Sequence, residues 1–78
     1  MPHVIVKLWP GRTEAQKEAL TKKIQDAVKE TMGSKERSIS IAIEEVPEEK
    51  WMSEVFTPDI IDKKHTLYKK PGYNKELL

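Results

Sequence analysis

The chain has no cysteine, which excludes a disulfide framework and any metal site built on thiolates. Its histidines number two; His3 and His65 lie near opposite ends and have none of the spacing of a zinc site, so no metal is expected. Long apolar runs are also missing. Nothing approaches the roughly 20 residues of a membrane span, and the charged amino-terminal segment has no signal-peptide core, so a soluble, cytoplasmic protein with no membrane partner is expected. An excess of one charge is lacking as well: 14 basic against 13 acidic residues leave +1, with the signs interspersed. That is no nucleic-acid footprint, and Lys63-Lys64 and Lys69-Lys70, without interleaved aromatics, read as solvated faces. Length is the last shortage. A chain of 78 residues makes one domain, 1–78, and so small a domain needs a metal, disulfides or a partner to be stable. With the first two excluded, oligomerisation remains.

What is present is a strand-like run from Pro2 to Trp9. Val4, Val6 and Leu8 alternate with His3, Ile5, Lys7 and Trp9, the period of two expected of a strand. Pro10-Gly11 stops it. Thr13 precedes Gln16 by three residues, a capping box, and Glu14 falls in the first turn where the helix dipole favours an anion. A helix is therefore predicted over Glu14 to Met32. Its apolar positions are Leu20, Ile24, Ala27, Val28 and Met32, at three- and four-residue spacing, and Gly33 supplies the C-cap. A second alternating run carries Ile39, Ile41 and Ile43 on one face and Ser38, Ser40, Ala42 and Glu44 on the other.

Strand, helix and strand make a β-α-β unit with parallel strands and a right-handed crossover. The tail adds a turn at Glu48 to Trp51, then Thr57-Pro58-Asp59 as N-cap, N1 and N2 of a second helix over Pro58 to Tyr68. Lys70-Pro71-Gly72-Tyr73 is read as a type II turn, and no internal repeat or low-complexity linker is present. The fold class is α/β (α+β). Two strands leave both sheet edges open, so the sheet is expected to be completed by a symmetric partner subunit.

Pro2 is the residue with the most chemistry to offer. Once Met1 is removed its nitrogen becomes a secondary amine, and α-amino groups titrate at about 7.7–8.0, close enough to neutrality to act as a general base. Parallel pairing sets Pro2 near Ser38 and Ser40 at the start of the second strand. Arg12 falls at the far end of the first strand, roughly 20 Å away at ~3.3 Å per residue. If first strands pair antiparallel about a two-fold axis, Arg12 and Trp51 of one subunit approach Pro2 of the other. Each residue also has an ordinary structural reading: a turn arginine, a core tryptophan, a plain strand serine.

Pro2, the Gly11-Arg12 pair that ends the first strand, Trp51 and the element lengths between them resemble the 4-oxalocrotonate tautomerase family. The Pro2-His3 opening, the Ser38 to Ile41 segment and the long tail resemble its short, dimeric bacterial members. The resemblance implies a keto-enol tautomerase with Pro2 as catalytic base and acid, Arg12 on the substrate carboxylate, Trp51 as an aromatic wall and no cofactor. It implies a homo-oligomer, with a dimer favoured over a hexamer, acting on a small enol or keto acid. Ser40 stands where the dicarboxylate-using members carry a second arginine. That loss of charge points to a 2-hydroxy-alkenoate or arylenolpyruvate-type monocarboxylate, with Ser40 or backbone N–H groups near it hydrogen-bonding the 2-oxygen. Two other readings stay open: hydrolytic dehalogenation on the same scaffold, for which Glu44 and Glu45 are the nearby carboxylates, and a non-catalytic dimeric module that binds a small carboxylate.

Overall fold

The computed structural model describes residues 1–78, and the chain falls into two compact units, Met1–Glu45 and Val46–Leu78. In the first, β1 (His3–Leu8) and β2 (Ser40–Glu45) pair in parallel around α1 (Glu14–Met32). The alternation of the amino-terminal run is what makes β1: Val4 and Val6 are half-buried, whereas His3 and Ile5 are exposed. Gly11, at φ 123°, takes a backbone conformation closed to ordinary side chains and turns the chain out of the strand.

Both ends of α1 are capped as expected. The Thr13 hydroxyl accepts from the Gln16 N–H at 3.1 Å and the Gln16 side chain accepts from the Thr13 N–H at 2.9 Å, a reciprocal capping box. Gly33 closes the helix at φ 66° with its N–H on the Lys29 carbonyl. The covered stripe differs from the expected one. Lys17, Thr21, Ile24 and Val28 are half-covered while Leu20, Ala27 and Met32 are exposed, because α1 meets β2 along the Lys17 side. There Lys17 reaches Glu45 at 3.3 Å, and an open cleft of about 410 Å³ is lined by Glu14, Lys17, Glu18, Thr21 and Ile43. No residue of α1 is fully buried.

β2 (Ser40–Glu45) begins two residues later than the alternation from Ser38 suggests. Glu36–Ser38 forms a 3-10 turn, which withdraws Ser38 and Ile39 from the ladder.

In the second unit, Glu48–Lys50 is a single 3-10 turn, as expected. The next helix is a correction. It spans Met52–Ile61 rather than Pro58 to Tyr68, and it is a π-helix with Pro58 inside it. Asp62 N–H bonds the Thr57 carbonyl, five residues back, at 2.9 Å. The wide turn takes the donor to the fifth residue back instead of the fourth, so the proline ring avoids the carbonyl it would strike in an α-helix. Burial selects this placement: Val55 and Phe56, the buried hydrophobic residues of the chain, both lie on it. Lys64–Thr66 is a separate 3-10 turn. The type II turn at Gly72 is also corrected. Gly72 stays out of the positive-φ region that type II demands, and Asn74 instead adopts the left-handed conformation at φ 48°.

Candidate active site

Parallel pairing brings the amino terminus against the start of β2. The Ser40 N–H donates to the Pro2 carbonyl at 3.2 Å, extending the ladder one residue ahead of His3, which stands opposite Ser40. Pro2 is thereby held by main-chain bonding and is half-buried, while Met1 is fully exposed. The Pro2 nitrogen is an amide as long as Met1 remains attached. A cleft of about 390 Å³ beside Met1 is lined by Met1, Lys35, Arg37 and Ser38.

Of the residues singled out from the sequence, Pro2 and Ser40 are brought together. Arg12 is exposed beyond the far end of β1, on the other side of a strand of six residues, so no single chain joins it to Pro2 at ~3.3 Å per residue. Trp51 belongs to the second unit, where its indole N–H donates to the Tyr73 hydroxyl at 3.0 Å.

His3, which the sequence alone reads as a surface or subunit-contact residue, is a direct neighbour of Ser40. Its Nδ1 lies 2.6 Å from Ser40 Oγ. With a proton on Nδ1 the imidazole donates to Ser40 and leaves the hydroxyl hydrogen for another acceptor; with Nδ1 bare, the serine donates to the ring. The parallel register carries the signal that would have found it, since His3 and Ser40 are directly paired and so project from the same face of the sheet. Among the acidic residues near the end of β2, Glu45 is engaged by Lys17 and Glu44 stands opposite Lys7. No group of three or more His, Cys, Asp or Glu side chains is gathered to hold a metal ion, and no helix is long and apolar enough to cross a membrane.

This chain is similar to known enzymes. The tautomerase enzyme family model matches residues 2–57. Tautomerase PptA of Cronobacter sakazakii is 40% identical over 74 residues, covering 94% of this chain and 97% of its own. Among solved structures, YwhB, a homologue of 4-oxalocrotonate tautomerase, is 48% identical at a TM-score of 0.58, over 59% of this chain and 75% of that one. TomN, a 4-oxalocrotonate tautomerase homologue in the tomaymycin biosynthetic pathway, is 32% identical at a TM-score of 0.62, over 64% and 77%. The chain belongs to the tautomerase family, in the 4-oxalocrotonate tautomerase group. It is a tautomerase, an enzyme of the isomerase class.

Proposed function

We propose that the protein, acting as one domain over 1–78, interconverts enol and keto forms of a 2-hydroxy-alkenoate or arylenolpyruvate-type monocarboxylate, with the Pro2 amine as base and acid. The main-chain bond between the Pro2 carbonyl and the Ser40 N–H is the observation that carries this reading, because it anchors the amino terminus in the sheet instead of leaving it to fray. After removal of Met1, the neutral amine takes the hydroxyl proton of the enol, the C=C electrons move to carbon as the C=O forms, and the ammonium returns the proton to that carbon. The reaction consumes nothing, and neither metal nor cofactor is invoked.

Arg12 binds the carboxylate, fixing the reacting carbon against the nitrogen. Its position at the opposite end of β1 supports a composite site in an antiparallel pair of subunits, Pro2 from one and Arg12 and Trp51 from the other. Ser40, paired with His3, hydrogen-bonds the 2-oxygen as charge develops on it. A dimer is favoured over a hexamer, and the enzyme is placed in the cytoplasm.

Intact mass followed by ultraviolet progress curves with phenylenolpyruvate tests this. The processed wild type should turn over, Pro2→Ala should lose about 10²-fold in kcat/KM, and protein retaining Met1 should be inactive. Equal turnover in the variant and wild type would sink the proline mechanism. Halide release from a 3-haloacrylate without enol isomerisation would favour water addition instead.

A further inference from the structure

The proposed function leaves Trp51 as a flat wall and assigns nothing to the chain's last segment. Yet that segment is where the Trp51 indole finds its hydrogen-bond partner. Indole is a donor only, so the Tyr73 hydroxyl is the acceptor at 3.0 Å. The Tyr73 ring lies 5.5 Å from that of Phe56, tilted by 40°, within the range of favourable aromatic pairs, and Phe56 is completely buried. The next residue makes a parallel attachment: Asn74 Nδ2 donates to Met52 Sδ at 3.7 Å, from a backbone in the left-handed region. Consecutive residues of the tail, Tyr73 and Asn74, thus hold consecutive residues, Trp51 and Met52, at the start of the π-helix. Tyr73 itself is 45% exposed. Its hydroxyl adds little to burial, so what it contributes is the orientation of the indole.

We propose that Tyr73 is a positioning residue for substrate selection: by holding the Trp51 indole in one orientation it favours enol acids bearing an aryl arm over those without one. This rests on the reading of Trp51 as a wall of the tautomerase site. It makes the Pro71-Gly72-Tyr73-Asn74 turn a specificity element, and the route runs from buried Phe56 through the Tyr73 ring and hydroxyl to the indole.

The test compares phenylenolpyruvate with a 2-hydroxy-alkenoate of equal charge that lacks the ring. Tyr73→Phe keeps the ring against Phe56 and removes only the acceptor. The ratio of kcat/KM for the aryl substrate to that for the non-aryl one should fall about three- to tenfold, the effect of one lost hydrogen bond, and the fall should reside in KM. In a Trp51→Phe background, where no indole N–H exists, Tyr73→Phe should produce no further fall. An unchanged ratio, or an equal fall in both backgrounds, would overturn the proposal. Should the processed wild type turn over neither substrate, the tautomerase reading of the site fails by itself. The Trp51 indole N–H resonance then decides on Tyr73: a shift in Tyr73→Phe is expected, and an unmoved resonance overturns the positioning role.

Discussion

Arg12 follows the glycine that ends the first strand's exit turn, with Gly11 at φ 123°, and its side chain is exposed. In the proposed two-subunit site a guanidinium there would meet the substrate carboxylate, and its bidentate geometry cannot be copied by an amide. Arg12→Gln is therefore expected to raise KM by roughly 10- to 100-fold, the effect of losing charge-assisted hydrogen bonds, with a smaller change in kcat. Steady-state kinetics on the processed enzyme check this; an unchanged KM would remove Arg12 from the site. At this scale the sequence was most informative where a residue acts through its own backbone or its immediate neighbours. The turn at Gly11 and the placement of Pro2 beside Ser40 are of that kind. His3 with Ser40 and Trp51 with Tyr73 are pairs set 37 and 22 residues apart, and no local pattern announces either; the first follows only once strand register is known, the second only once the tail is folded.

Helix α1 shows local signals acting as physical chemistry says they should. Its capping box satisfies two amide groups that would otherwise be orphaned at the helix start, so Thr13→Ala should cost about 1 kcal/mol, read as a lower midpoint in urea unfolding. The tie to β2 through Lys17 has a pH signature. The Glu45 carboxylate, accepting a hydrogen bond from Lys17, outweighs desolvation and holds the ammonium above its usual 10.5. A raised pKa means a contribution fully present below about 10.5 and lost as pH climbs through the higher value of the folded state. The stability difference between wild type and Lys17→Gln should accordingly stay level from neutrality to just below 10.5 and shrink above it, and it should be smaller at high salt. A difference that grows with pH would contradict the pair. The π-helix illustrates the opposite case. Thr57-Pro58-Asp59 satisfies every local rule for a helix start, but the burial of Val55 and Phe56 overrides it, and burial is not a property that three residues can advertise.

The amino-terminal unit as a whole contains no buried residue, for Val55 and Phe56 belong to the other unit. Ile5 on β1 and Trp9, just past the end of that strand, are 52% and 49% exposed. A two-stranded sheet with one helix is marginal in water, and the proposed second subunit would cover this exposed apolar surface. Ile5→Lys should abolish association, shown as a fall in mass by sedimentation, together with loss of turnover, because the proposed site draws on two chains. A variant that stays associated and active would exclude this face. The β-α-β order, the parallel pairing and the incompleteness of the sheet were all legible beforehand, since they follow from periodicity and from the impossibility of closing two strands into a sheet.

The bond between the Pro2 carbonyl and the Ser40 N–H carries one more implication. A proline nitrogen in the main chain has no χ angle to freeze, and proline loses essentially no side-chain entropy on ordering. The aim of the proposed base is thus set by strand registry, and warming would spoil it only as the ladder itself opens. The same economy forbids decoration: any affinity tag, dye or fusion partner joined ahead of Pro2 would be bonded to the nitrogen of the proposed base, so under that proposal labelling chemistry has to enter the chain elsewhere.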